Sequence, residues 1–117
     1  MDSTNVLSLV RKQDGARILL ELGGIASLRT SRELKDVLTD DAAREGVRQI
    51  VLEMSGIEML DSSVLGILLE AQQRLVRRGA ELVILTPSEE MNDLLVMTDL
   101  EQLIPVIRAP ATLPPLA

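Results

Sequence analysis

The residues with the clearest capacity for chemistry are a carboxylate and two hydroxyls in a row, Asp61-Ser62-Ser63. They separate an apolar run that predicts a buried strand from a second run that predicts a helix. The first amides of a helix have no intrahelical acceptor, and the helix dipole favours negative charge there. A phosphoryl group on one of these serines is therefore tolerated, although the carboxylate of Asp61 repels it. Serine and aspartate are common at any helix start, so a purely structural role is the alternative.

The composition excludes several other kinds of site. The chain has no Cys and no His, which removes thiolate and imidazole metal sites, Cys nucleophiles and Ser-His-Asp triads. Trp, Tyr and Phe are absent too, so no aromatic platform can stack on bases. A net charge of −6 disfavours binding to nucleic acid or to an anionic membrane surface.

The size of the chain predicts one domain over residues 1–117. Hydrophobic residues make up 46% of it, which is enough apolar mass for one packed core. The start of the chain lacks the pattern of a signal peptide, and no apolar run is long enough to span a membrane. With no cysteine available for disulfides, we expect a cytoplasmic protein.

The elements that must position Asp61-Ser62-Ser63 begin with a hairpin and a helix. Two β-rich runs, 6–10 and 18–22, flank the turn pair Asp14-Gly15, and Gly23-Gly24 is expected to end the second strand. Thr30 and Glu33 fit a capping box that begins the first helix. The spacing predicts inward-facing apolar residues in that helix and Gly46 as its stop. These residues are Leu34, Val37 and Leu38.

The second half of the chain alternates strands with helices. A strand over 49–54 and a loop over 55–61 precede a helix that begins at Ser62-Ser63 and ends at Arg77-Arg78-Gly79. A buried strand follows over 81–85, and a third helix begins at 87–90, with Ser88 as its N-cap, and ends near residue 98. A short strand over 104–107 precedes an extended or frayed tail, 108–117.

The predicted fold class is therefore α/β, with the order β-β-α-β-α-β-α-β. Strands separated by helices of this length imply a mostly parallel sheet, and the opening hairpin adds an antiparallel pairing. We expect a mixed sheet with the helices packed on it.

Other side chains have simple structural explanations. Gly23-Gly24 is not a phosphate loop, because no Gly-Lys pair follows at the required spacing. The acidic residues of the first helix indicate a solvated face rather than a cation site; they are Asp36, Asp40, Asp41 and Glu45. Met91 and Met97 are predicted to fill the core. Glu58 and Asp61 lack a basic partner and a cofactor motif. The sequence thus predicts no catalytic residue, no cofactor and no metal.

The segment Met-Leu-Asp-Ser-Ser-Val-Leu-Gly, residues 59–66, resembles the signature of the STAS domain in bacterial anti-sigma factor antagonists. The similarity extends over roughly 6–107, and it includes the β-β-α opening. It also includes the run Arg-Arg-Gly-Ala-Glu-Leu-Val-Ile-Leu at 77–85 and Met-Thr-Asp-Leu at 97–100. The STAS resemblance agrees with the fold class that the periodicity predicts.

The resemblance implies a function in transcription regulation that involves no catalysis. In that family the first serine after the aspartate, here Ser62, is phosphorylated by a serine kinase of ATPase-like fold that is also the anti-sigma factor. The unphosphorylated antagonist binds this kinase and frees the sigma factor; phosphorylation ends the binding, and a serine phosphatase restores it. We expect the partner to contact Gly24, Ser27, Leu28, Met59, Asp61, Ser62, Ser63, Val64, Leu65 and Gln72, together with Gln73.

Two positions depart from the family pattern. Val64 stands where the family has glycine, and Ser27 stands where many members carry aspartate. An alternative function is that of a STAS scaffold that is never phosphorylated, such as a subunit of a lipid-transport or stress-sensing complex. A small hydrolase that uses Asp61 and Ser62 is a third hypothesis, which the absence of histidine disfavours.

Overall fold

The computed structural model describes residues 6–85 and 88–108. The elements in chain order are β1 (Leu7–Asp14), β2 (Arg17–Ala26), α1 (Arg32–Ala43), β3 (Gln49–Leu60), α2 (Ser63–Arg77), β4 (Glu81–Leu85), α3 (Glu89–Thr98), a 3₁₀ turn (Leu100–Gln102) and β5 (Val106–Ile107). The strands form one sheet in the order β1-β2-β3-β4-β5. The β1–β2 pair is antiparallel and the other pairs are parallel. The predicted mixed α/β sheet and its element order are confirmed.

Some predictions fall outside the described residues. These are the tail beyond Arg108 and the part of the third helix start at 86–87. None of the helices in the described ranges has the length and apolar character that crossing a membrane requires.

Glycine allows the hairpin to continue where an end is predicted. The turn consists of Gly15 and Ala16, but β2 runs through Gly23 and Gly24 to Ala26. Gly24 has φ +85°, and a Cβ there would lie 2.4 Å from the carbonyl oxygen of Val6. The pair therefore does not break the strand; it lets two backbones approach where a side chain would collide.

β3 is twice as long as predicted, because the expected loop at 55–60 is strand. These residues pair with the second half of β2 through two register shifts that flank Gly23 and Gly24. The pairing of β3 with β4 stops earlier, at Glu53 and Leu85. The far ends of β2 and β3 thus extend beyond β4, and we call this part, 23–26 with 56–60, the projecting end.

The core lies between the sheet and the helices. The strands contribute fully buried side chains at alternate positions, Ile18, Leu20, Ile50, Leu52, Leu82 and Ile84. From the helices come Leu34, Leu38, Val64, Leu68, Leu75, Met91 and Leu95. β4 is buried along Leu82–Leu85, as predicted for a strand covered on both faces. Met97 is 80% exposed, so its predicted core position is wrong.

The predicted capping box is also wrong. α1 begins after Ser31, which makes no side-chain capping bond. The Thr30 hydroxyl donates to the Ile25 carbonyl at 2.7 Å and accepts from the Ser27 amide at 2.9 Å. Thr30 therefore closes the turn after β2 through local bonds to the preceding backbone, and these bonds replace the predicted capping bond.

The other helix ends show how the connections are fixed. α1 ends at Ala43, three residues before Gly46, and the Arg78 guanidinium donates at 2.8 Å to the carbonyls of Ala42 and Val47. Ser88 caps α3 by accepting from the Met91 amide, as predicted. The last strand is Val106–Ile107 only, and the 3₁₀ turn before it was not predicted.

One residue of the predicted acidic face is buried. Asp41 is 1% exposed, and Arg11 of β1 donates to both of its carboxylate oxygens, at 2.9 and 2.8 Å. The hydrogen bond to Asp41 raises the pKa of Arg11. A bidentate pair of this kind fixes β1 against the end of α1. Over the described parts of the chain, no group of acidic side chains is arranged to hold a metal ion.

Candidate functional site

Ser62 lies directly after the projecting end, at the beginning of α2. Its side chain is exposed, and it makes no capping hydrogen bond to the helix. Within residues 6–85 and 88–108, the Ser62 hydroxyl has no hydrogen-bond partner, although the Ser62 carbonyl accepts from the Leu65 amide at 3.1 Å. The hydroxyl is thus open to a second macromolecule.

Asp61 performs the capping that Ser62 does not. One carboxylate oxygen, Oδ1, accepts from the Ser63 amide at 3.0 Å and from the Ser63 hydroxyl. The other, Oδ2, accepts from the Leu28 amide at 3.2 Å, while the Asp61 amide donates to the Ala26 carbonyl at 2.9 Å. Asp61 therefore ties the β2–α1 loop to the beginning of α2.

The charge of Asp61 is stabilised by these donors. The hydrogen bond from the Ser63 hydroxyl is the largest cause that lowers the pKa of Asp61, and the amides of Leu28, Ser63 and Val64 lower it further against the opposing effect of burial. A carboxylate with a lowered pKa is a weaker general base. The geometry therefore gives no support to a hydrolase that uses Asp61.

The first amides of α2 are already occupied. Ser63 donates to the carboxylate of Asp61, Val64 to its carbonyl at 3.3 Å, and Leu65 to the Ser62 carbonyl. The expectation that a phosphoryl group meets vacant amides here is wrong for these three donors. A charge placed on Ser62 consequently faces outward, towards whatever covers the site.

The two serines differ in their availability. The Ser63 hydroxyl donates to Asp61, and its side chain is only partly exposed. The Ser62 hydroxyl has neither restraint. Of the two serines, Ser62 therefore has the more accessible hydroxyl.

Two exposed apolar side chains belong to the segments that meet at Asp61, the residue before Ser62. Leu28 is 73% exposed and Met59 is 62% exposed. Met59 pairs with Ile25 across the projecting end, and Ser27 lies partly exposed in the loop beside them. We call Ser27, Leu28, Met59, Asp61 and Ser62 the Ser62 surface. Exposed apolar groups with a polar rim are typical of a protein-binding site.

Three residues expected to contact a partner are buried instead. Val64 and Leu65 belong to the core, so valine in place of the family glycine is a packing residue. Gln72 is 4% exposed; its amide nitrogen donates to the carbonyls of Leu82 and Leu103, and its oxygen accepts from the Leu82 amide. Gln72 thus joins α2 to β4 by hydrogen bonds. The neighbouring Gln73 is exposed. Periodicity alone cannot identify a buried polar residue of this kind.

Gly24, which is partly exposed, has a role in the backbone geometry beside its predicted contact with a partner. Its positive φ and the nearby Val6 carbonyl fix the projecting end.

Sequence reasoning missed three cations beside the site, Arg29, Arg32 and Lys35. Their signal was available, because Arg32 and Lys35 fall in the first turn of a predicted helix, where the dipole disfavours positive charge.

We predict a pH effect at Asp61. Because its pKa is lowered by folding, its contribution to stability is complete above the ordinary value of about 3.9 and is lost as the pH falls through the lower folded value. Carbon NMR of the side-chain carboxyl should give a pKa below the ordinary value, and Ser63→Ala should raise it. Ser55→Ala, which removes a hydroxyl that donates to Glu53, should leave it unchanged. A wild-type Asp61 that titrates at or above the ordinary value contradicts this account.

Comparison with known proteins agrees with the architecture. A family model described as STAS domain matches residues 8–112. The fold is similar to that of the anti-sigma factor antagonist SpoIIAA in its unphosphorylated form, with a TM-score of 0.76 and 14% identity over 87% of this chain and 90% of that chain. An anti-sigma factor antagonist from Mycobacterium paratuberculosis gives 0.78 and 15%, over 89% and 87%. The phosphorylated form of the Bacillus cell fate determinant SpoIIAA gives 0.72 and 14%, over 87% and 93%. At these identities the likeness concerns the fold.

Proposed function

The chain belongs to the STAS domain family, and we propose that it is an anti-sigma factor antagonist that works by partner switching. In the unphosphorylated state it binds an anti-sigma factor that is also a serine kinase of ATPase-like fold. Phosphorylation of Ser62 releases this partner, and a serine phosphatase restores the binding form. The protein itself is a regulator of transcription in the cytoplasm, with one domain and no catalytic step of its own.

The observation that carries this proposal is the Ser62 hydroxyl at the N-terminal end of α2, which is exposed and has no hydrogen-bond partner among residues 6–85 and 88–108. A kinase must reach its acceptor hydroxyl, and a partner must cover the same surface if modification is to end the binding. Leu28 and Met59, on the two segments that meet at the adjacent Asp61, supply exposed apolar area. The similar fold of SpoIIAA, solved in unphosphorylated and phosphorylated forms, supports the compatibility of such a fold with both states.

The switch follows from local electrostatics. A phosphoserine carries a charge of about −1.5 to −2 at neutral pH. Here it would stand beside the charged Asp61, and the first three amides of α2 already have acceptors. A partner that buries the phosphoryl group must remove its bound water, and the amides of α2 are not free to donate hydrogen bonds in place of that water. The partner therefore binds the phosphorylated protein more weakly, while the fold of the free protein is unchanged.

The test is phosphorylation by each serine kinase of ATPase-like fold encoded in the same genome. With ATP, one such kinase should add a single phosphoryl group, which mass spectrometry should locate on Ser62. Ser62→Ala should abolish the modification and still bind the kinase, whereas Ser63→Ala should be modified. Modification at Ser63, or stable binding without any modification, contradicts the proposal; the second outcome is what the scaffold alternative requires.

A further inference from the structure

The cations of this chain divide into those with a carboxylate partner and those without. Five form ion pairs of 3.7 Å or shorter: Arg11, Lys12, Arg44, Arg74 and Arg108. Across the described ranges, the side chains of Arg29, Arg32, Lys35 and Arg77 have no ion pair or hydrogen bond. Arg77 lies at the far end of α2, but the other three gather near the Ser62 surface.

These three cations surround the beginning of α1. Arg29 is in the β2–α1 loop, Arg32 is the first residue of α1, and Lys35 lies three positions later on the same face. Arg32 and Lys35 line a groove between α1 and α2, with Leu28, Ser31, Asp36, Ser63 and Ile67 as the rest of its wall. The groove thus reaches Ser63, the residue after Ser62, and shares Leu28 with the Ser62 surface.

The positions of Arg32 and Lys35 are unfavourable for the isolated protein. Positive charge in the first turn of a helix opposes the helix dipole, and Ser31 does not relieve it with a side-chain cap. The chain as a whole carries −6, so carboxylates that could pair with these cations are plentiful elsewhere. Within the groove only Asp36 brings negative charge.

We propose that the groove between α1 and α2 binds an acidic segment of the same protein partner that covers Ser62. This inference rests on the proposed function and adds the chemical character of the partner. Carboxylates of that segment pair with Arg32 and Lys35, and an apolar side chain covers Leu28. Such complementarity accelerates association and excludes partners with a basic surface at this point.

The first test uses a capped hexaglutamate peptide as the probe. Titrated into the ¹⁵N-labelled protein at low ionic strength, it should shift the amides of Arg32, Lys35 and Ser63 in a saturable way. The double variant Arg32→Glu/Lys35→Glu should bind it at least about 10-fold more weakly, whereas Arg77→Glu, an equally unpaired cation, should stay within about 2-fold. Glutamate suits the first turn of a helix, so the double variant is expected to fold. Equal weakening by Arg77→Glu, or shifts spread over all cations, overturns the proposal.

The second test uses the kinase that modifies Ser62. Its affinity for the double variant should fall at least about 10-fold, with a smaller dependence on salt than for the wild type. If the kinase binds and phosphorylates both proteins equally, the groove has no part in recognition and the proposed function still stands. If no kinase modifies the wild type while hexaglutamate fills the groove, the proposed function fails and the preference for acidic chains stands.

Discussion

The Ser62→Asp variant is expected to bind the partner kinase at least about 100-fold more weakly than the wild type, a loss of about 2.7 kcal/mol. The expectation follows from two exposed apolar side chains close to Ser62 along the chain or through Asp61. The amide of Leu28 donates to the adjacent Asp61, and Met59 lies three residues earlier on β3, so a complex that covers these segments also covers position 62. The new carboxylate would lie beside Asp61, and the nearby amides already donate to other oxygens. Surface plasmon resonance or calorimetry measures the change directly.

Two variants separate this effect from altered folding or from charge alone. Ser62→Ala should keep the affinity within about 3-fold, because the hydroxyl makes no bond inside the described protein. Gln13→Glu adds the same charge at the end of β1 near the hairpin turn, away from the projecting end, and should have no effect. Undiminished binding by Ser62→Asp would remove phosphorylation as the switch.

The second large effect concerns stability. Arg11→Met is expected to lower the free energy of unfolding by about 2–4 kcal/mol, because it leaves the buried carboxylate of Asp41 without its bidentate partner. Arg44, whose Nε is 3.7 Å from the same carboxylate, compensates only in part. The chain contains no Trp or Tyr, so urea unfolding should be followed by far-ultraviolet circular dichroism.

The matched control is the neighbouring surface pair. Lys12 and Glu21 are 2.6 Å apart but both exposed, so Lys12→Met should cost no more than about 0.5–1 kcal/mol. Adding Asp41→Leu to Arg11→Met should recover part of the loss, since no charge is then left buried. If Arg11→Met and Lys12→Met are equally mild, the buried pair does not hold β1 against α1 as described.

The sequence predicts the elements whose signals are local. Apolar periodicity identifies the three helices, Ser88 caps α3 as predicted, and the bounds of β4 agree with the prediction over 81–85. The residues 55–60 escape this reasoning, because Ser55 and Gly56 interrupt the apolar run of the strand and the strand conformation beyond them depends on pairing with β2. That pairing depends in turn on Gly23 and Gly24, which look like a strand end in isolation.

Polar residues that act over long sequence distances escape it as well. The sequence places Asp41 on a solvated helix face, whereas in the structure it is paired with Arg11. The sequence likewise places Gln72 on the exposed side of α2, whereas in the structure its amide donates to the carbonyls of Leu82 and Leu103. The position of Ser62 at a helix start was predictable, because the apolar run that follows it is a local signal. The division of roles between Ser62 and Asp61 was not, since it depends on the Leu28 amide reaching across from another loop.

The capping of α2 by Asp61 has a consequence for the stability of the fold when the side chain of Ser62 is changed. The helix start is secured by Asp61 and not by Ser62, so the side chain of Ser62 is dispensable for folding. If Ser62 is modified as proposed, attaching and removing the group should therefore leave the melting temperature almost constant. Replacement of Asp61, by contrast, should damage the scaffold and the signal together.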